Sequence, residues 1–310
     1  MSHGTRVWVA LGVVYLVWGS TYLFIAFAGE TIPPLFAAST RFVASGLLLA
    51  GIAAWRRGPR VLRIRRRELA SATLVGALLP GANAVVFVAE RHVASGLAAL
   101  IIGAVPLWIV LLRLAARDRP SGTALAGVLV GFGGLAILVR PGGGAPLWGL
   151  LLLVLASVMW AVGSYLSPRL PLPRDQFAST AYEMLCGGLL MLPLGFARGE
   201  PDFAAFSARS LAGWLYLVTF GSVLAYTAYT WLLDHAPIGK VATYAYVNPV
   251  VAITLGALVL NERITWTIAV GAAVVLASVA LVVRESPAAR DDALPAPPRR
   301  LPLRRAKSIR

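Results

Sequence analysis

An ionisable side chain set inside a long apolar run is costly in hydrocarbon and is a functional candidate by default. Arg41 and Glu183 are two such residues. Arg41 lies about seven residues inside the run 34–54, roughly 10 Å deep at about 1.5 Å per residue. Glu183 lies about six residues inside the run 177–196, roughly 9 Å from the opposite surface. In a core of about 30 Å their backbones differ in depth by roughly 10 Å, so a bond between them depends on the reach of the arginine. Each could instead be held by backbone and hydroxyl partners as part of the fold. Of the carboxylates, Glu183 is the candidate proton carrier, because a carboxyl can take up and release a proton where bulk water cannot reach. Trp18, Tyr22, Asn83, Trp160, Tyr165, Tyr244, Tyr246 and Asn248 form a polar and aromatic set that could line a cavity. Aromatic residues in membrane helices more often pack or sit at the interface, and that reading stands beside the first.

Other chemistry is excluded by what the chain lacks. There is no Ser/His/Asp set, no His-Glu-x-x-His and no phosphate-binding Walker loop. An enzyme, an ATPase and a metal or cofactor protein are therefore not expected. The single cysteine, Cys186, rules out an internal disulfide and reads as a small packing residue. Glu90, His92, Asp234 and His235 fall at the ends of runs, where capping or snorkelling explains them. Lys240 reads as snorkelling too. Glu262 is expected to accept from backbone donors at the start of the next run.

The elements that must position these residues are membrane helices. The chain has 310 residues, 58% of them hydrophobic and 13% charged, with mean hydropathy +0.77. A soluble domain carries about 25% charged residues. Runs of about 20 apolar residues cross a bilayer. Ten are read, at 7–27, 34–54, 69–89, 93–112, 122–139, 146–166, 177–196, 210–233, 238–260 and 265–283. Ala26-Phe-Ala28 resembles a signal-cleavage site, but its run is too long for a signal core. The net charge of +15 follows the positive-inside rule rather than a nucleic-acid partner. With the N-terminus inside, 21 of the 28 Lys and Arg fall on the cytoplasmic side and five outside. The cluster Arg56–Arg67 then sets topology and meets lipid headgroups. Both termini are expected in the cytoplasm, and residues 284–310 form a basic, disordered tail.

The chain is also written twice. Pro106 and Pro249 lie 143 residues apart, each inside an apolar run. A proline there frees a carbonyl and is expected to kink the helix beside other protein or a wet cavity. Trp18-Gly-Ser-Thr-Tyr22 in the first run is echoed by Trp160-Ala-Val-Gly-Ser-Tyr165 in the sixth. Arg41 and Glu183 occupy matching places. Gly127 and Gly131 form a helix-contact face. Five spans per unit is odd, so the second copy is upside down. Inverted repeats are typical of secondary transporters, with substrate bound near the midplane between the copies.

Together, Trp18-Gly-Ser-Thr-Tyr, Pro34 through Arg41-Phe42, Ala89-Glu90-Arg-His and Ser95-Gly-Leu-Ala-Ala with Pro106 resemble a known pattern. Trp160-Ala-Val-Gly-Ser and Ala242-Thr-Tyr-Ala-Tyr-Val-Asn-Pro with Asn261-Glu262-Arg263-Ile complete it. The chain resembles a permease of the drug/metabolite transporter superfamily with two EamA domains. The resemblance implies an all-α membrane protein of ten helices in two inverted five-helix repeats, 7–139 and 146–283, with the fifth and tenth spans peripheral. It further implies a bacterial inner-membrane exporter of a small metabolite, amino acid or drug, without cofactor, with a proton as candidate coupling ion. An exchanger of phosphorylated or nucleotide-linked solutes is the alternative, and a receptor or scaffold is the non-transport one. The small multidrug antiporters centre on a carboxylate in their first helix, and the first run here has none. Lys240 departs from the pattern, where a small or apolar residue is usual.

Overall fold

The computed structural model describes residues 1–117, 120–139, 145–197, 202–236, 238–241 and 243–284. The expected disordered tail lies, from residue 285 on, outside the described residues. Helices account for all the regular structure among the described residues. The first segment contains α1 (His3–Gly29), α2 (Pro34–Arg57), α3 (Arg66–Ala89), α4 (Ser95–Ile102), α5 (Val105–Ala115) and α6 (Gly122–Leu138). The second contains α7 (Leu147–Leu166), α8 (Gln176–Ala197), α9 (Ala208–Tyr216), α10 (Ala225–His235), α11 (Ile238–Val241), α12 (Tyr244–Val259) and α13 (Trp266–Arg284). A π-helical stretch, Leu217–Leu224, joins α9 to α10 without a turn.

Seven of these stretches are long and apolar enough to cross a membrane, with α4–α5 and α9–α10 each counted as one. Gly122–Leu138, Tyr244–Val259 and Trp266–Leu281 are shorter apolar helices. Leu16, Leu129, Leu155 and Leu258 point outward from the bundle, as side chains facing hydrocarbon would. Helices are the expected solution there, because each satisfies its own backbone groups in the absence of water.

Two expected spans are interrupted. The run 93–112 breaks at Gly103–Ala104, and Pro106 lies in the first turn of α5, where a missing N–H costs nothing. The run 238–260 breaks before Tyr244, so Pro249 sits inside α12 instead of at the break. These features meet. A Cβ on Gly103 would stand 3.0 Å from the Ala245 carbonyl oxygen and 3.2 Å from the Pro249 ring. Ala245 carries the carbonyl that Pro249 leaves without its usual donor. The glycine lets the broken helix of the first segment close over that carbonyl.

The packing is drawn around α2 and α8. On one side α8 seats Gly188 against the Ser39 carbonyl and Val43 of α2; on the other it seats Gly187 against Gly76 of α3. Small residues allow this approach, since apolar burial against lipid tails offers no drive for association. α1 packs on α12 and on α9–α10, and α7 packs on α3 and on α4–α5. α6 and α13 pack chiefly on each other. Gly131 faces Ser278 and Leu107 in that arrangement, while Gly127 is buried on the same helix.

Helix ends also tie the segments together. Glu262 does not cap the helix that follows it. Its Oε1 accepts from the Ser95 N–H at 2.7 Å and its Oε2 from Gly96 N–H at 3.1 Å, capping α4 in the other segment. The turn at Asn261, with φ of 55°, carries the carboxylate there, and Thr265 serves α13 instead. A carboxylate on the first amides of a helix satisfies orphan donors and meets the positive end of its dipole. On the opposite side Arg57 pairs with Asp175 at 3.1 Å, and Asp175 caps α8 through the Ala178 N–H. Arg57 is largely exposed, so that pair contributes at most about 1 kcal/mol.

Candidate functional site

A cavity of about 60 Å³ lies between the two segments. Each water needs roughly 10–15 Å³ of such space, so it has room for a few. Its walls come from α1 (Trp18, Thr21, Tyr22), α2 (Arg41, Phe42) and α3 (Ala82, Asn83). Trp160 of α7, Gly221 and Ser222 of the π-helix, Tyr226 of α10, and Tyr244 and Asn248 of α12 complete most of the enclosure.

Trp18 is the centre of the aromatic wall. Its ring stands 5.7 Å from Trp160 at 88°, 5.5 Å from Tyr244 at 82° and 4.8 Å from Tyr229. Edge-to-face contacts of this kind align ring edges with the electron-rich faces of their neighbours. Its Nε1 donates to the Gly221 carbonyl at 3.0 Å. That carbonyl belongs to the π-helix, whose wider turn shifts backbone partners and is frequent at functional sites. Ser45 Oγ likewise donates to the Val218 carbonyl at 3.3 Å. So a local irregularity in the second segment receives side-chain donors from α1 and α2 of the first.

Arg41 is 3% exposed. Its Nε donates to Ser222 Oγ at 2.9 Å, and its guanidinium lies 4.9 Å from the Phe42 ring centre. Nη1 is buried and has no partner among the described residues. Glu183 is 4% exposed and is not part of the cavity wall. Ser179 Oγ donates to its Oε1 and Tyr226 OH to its Oε2, each at 3.0 Å. No ion pair joins Arg41 to Glu183 among the described residues. Both still reach one site, Arg41 directly and Glu183 through the Tyr226 hydroxyl.

Of the residues singled out from the sequence, Arg41, Trp18, Tyr22, Asn83, Trp160, Tyr244 and Asn248 line the cavity, while Tyr165 and Tyr246 do not. Tyr165 lies near the end of α7 with the Arg169 guanidinium 3.7 Å over its ring, and Tyr246 packs against the core. Lys240 sits 4.0 Å over the Trp8 ring, and His92 lies beside Trp148 with ring centres 4.9 Å apart. His235 stacks on Trp231 at 4.4 Å; the side chain of Asp234 lies outside the described ones. Cys186 is half-buried. Glu90, expected near water, has both carboxyl oxygens buried and unpartnered among the described residues. It stands just beyond α3. Burial, and then the nearby Glu262 carboxylate, push its carboxyl well above the ordinary range.

Sequence reasoning passed over Tyr226, Ser222 and Gly221. One signal was available for the tyrosine. Tyr226 follows Asn83 by 143 residues, the same interval that separates Pro106 from Pro249.

Comparison with known proteins fits this arrangement. The EamA-like transporter family matches residues 6–140 and again 147–284. The chain is 37% identical over 255 residues to the uncharacterized inner membrane transporter YedA of Escherichia coli K12, covering 80% of each. It is 25% identical over 298 residues to the uncharacterized transporter YvbV of Bacillus subtilis, covering 94% of this chain and 95% of that one. A WAT1-related chloroplast protein of Arabidopsis thaliana is 27% identical over 290 residues, 89% of this chain and 69% of its own length. A solved crystal structure superposes with a TM-score of 0.65 at 21% identity, over 92% of this chain and 98% of that one, which shows the shared fold. The chain belongs to the EamA-like transporter family of the drug/metabolite transporter superfamily, with two EamA-like segments in succession.

Proposed function

We propose that this protein is a secondary exporter that moves a small metabolite, amino acid or drug across a bacterial inner membrane by alternating access. In this reading ten helices cross the membrane, the three shorter apolar helices among them. Residues 7–139 and 146–283 are two five-helix repeats of opposite orientation. The pairing of helices supports an internal two-fold: α1 lies on α9–α10 and α12 as α7 lies on α3 and α4–α5, while α2 meets α8 and α6 meets α13. The observation that carries the function is the cavity walled by both segments, with Trp18 and Trp160 meeting edge to face inside it. A solute held there touches both repeats, so a rocking of one against the other changes which side it faces.

Purified protein in liposomes, preloaded with unlabelled amino acids and aromatic metabolites, is expected to accumulate labelled solute by counterflow. Trp18→Ala is expected to abolish it. Labelled uptake no faster than in empty liposomes, across the set, overturns transport and leaves a receptor or scaffold. The phosphorylated-solute exchanger needs several cations facing the cavity. Arg41 is the one charged residue in the described wall, and Lys240 lies away from it.

Orientation follows the basic loops. Reporters inserted between residues 56 and 67, or at either terminus, are expected to read as cytoplasmic. An external readout from the 56–67 loop reverses the assignment.

A further inference from the structure

We propose that the cavity selects an organic monoanion, a carboxylate on an apolar or aromatic body bearing one neutral hydrogen-bond donor, over ammonium compounds and zwitterions. The inference deepens the transporter reading of the same cavity. It starts from Arg41, a residue of the cavity wall whose Nη1 is buried and unpartnered among the described residues. A buried guanidinium without an anion is costly, and removing it from water is repaid only by a well-placed partner. Its one described side-chain hydrogen bond runs from Nε to Ser222, which leaves Nη1 as a donor for a planar carboxylate.

A second orphan lies in the same wall. Asn248 is 7% exposed, and its Oδ1 is buried without a donor among the described residues. A neutral hydroxyl or N–H on the solute would satisfy it. Trp18, Trp160 and Tyr244 offer ring faces and edges for the solute body.

The wall also decides against a cation. None of its described residues is acidic. Glu183 stands behind Tyr226, with one oxygen held by Ser179 and the other by Tyr226. An ammonium group would meet Arg41 as a like charge and, among the described wall residues, find only neutral acceptors, the nearest buried carboxylates being Glu90 behind Tyr22 and Glu183 behind Tyr226. A zwitterion would gain the arginine contact but leave its ammonium without a counter-ion. A dianion would bring more charge than one guanidinium neutralises.

Three probes share one phenyl body and separate these cases: phenyllactate, phenylalanine and phenethylamine. Binding to the purified full chain is read by quenching of tryptophan fluorescence and by thermal shift. Phenyllactate is expected to bind at least about tenfold more tightly than either of the others. Arg41→Gln is expected to erase that preference, and Arg41→Lys to keep it at lower affinity. Tighter binding of phenylalanine or phenethylamine overturns the proposal, as does binding of none of the three. So does a preference unchanged in Arg41→Gln. The comparison on the wild-type protein decides the matter even if the variants do not fold. Arg41-dependent phenyllactate binding without counterflow removes the transport reading and keeps the ligand class. Counterflow of phenethylamine without phenyllactate does the reverse.

Discussion

Gly187→Val will prevent folded protein from accumulating in the membrane. Gly187 is the point where α8 touches the backbone of α3. A Cβ built there lies within van der Waals distance of the Gly76 carbonyl group and 2.7 Å from Pro80 Cβ. None of those atoms is the end of a flexible side chain, so the helices themselves must separate. The other face of α8 cannot give way, because Gly188 meets the Ser39 carbonyl at 2.8 Å from its own Cβ position and the Val43 amide at 2.9 Å. Overpacking of a tight core typically costs about 1–3 kcal/mol, and a branched side chain wedged between two backbones belongs at or above the top of that range. Net stabilities are only about 5–15 kcal/mol. Gly133→Ala is the control: it meets nothing within 4 Å and should change stability by no more than about 1 kcal/mol. Size-exclusion yield and thermal midpoint in mild detergent measure both. A Gly187→Val protein with wild-type yield and midpoint would show that α3 and α8 are not held as described.

The same contact bears on what a sequence can and cannot show. Duplicated motifs pointed to the cavity because they carry register: Trp18 and Trp160 stand in matching motifs of the two segments, and both reach the same space. Arg41 and Asn248 were visible as polar groups in apolar runs, and both line it. Tyr165 and Tyr246 also fit the pattern, but which face of a helix a tyrosine presents depends on packing that hydropathy does not record: Tyr165 lies under Arg169 and Tyr246 against the core. Ser222 and Gly221 carried no local signal. Their role depends on the π-helix, whose extra residue per turn re-aims side chains and carbonyls without changing hydropathy. The break at Gly103–Ala104 was hidden for a related reason. An apolar run reads the same whether one helix or two occupy it, and the gap is filled by Ala245 and Pro249 of the other segment. Glu262 was read against its nearest helix in sequence, whereas the free amides it found belong to α4.

Glu183→Gln is expected to abolish gradient-driven efflux while leaving the protein folded and inserted. Given the proposed transport function, the Ser179–Glu183–Tyr226 chain supplies the coupling. When Glu183 is ionised it accepts from both hydroxyls, so the Tyr226 proton is turned away from the cavity. When Glu183 takes up a proton, its carboxyl can donate to the Tyr226 oxygen instead, and the tyrosine proton is released toward the cavity wall. Proton uptake at a buried site is thereby converted into a change in what the cavity offers a solute. Arg41 does not short-circuit this, because no ion pair joins the two among the described residues. Glutamine has nearly the same shape and can still accept from one hydroxyl and donate to the other oxygen, so packing against Gly76 survives. What it cannot do is exchange a proton. Tyr226→Phe should resemble it in uncoupling, since it removes the only described link between Glu183 and the cavity wall, while equilibrium counterflow of the solute persists in both variants. Efflux is to be measured in proteoliposomes with an imposed pH gradient, at matched reconstitution. Equal, pH-dependent efflux by wild type and Glu183→Gln would remove the coupling role and leave Glu183 as a hydrogen-bond anchor between α8 and α10. Loss of counterflow along with efflux in Glu183→Gln would instead place the carboxylate in solute binding, and the Tyr226→Phe protein then shows whether it acts through the hydroxyl.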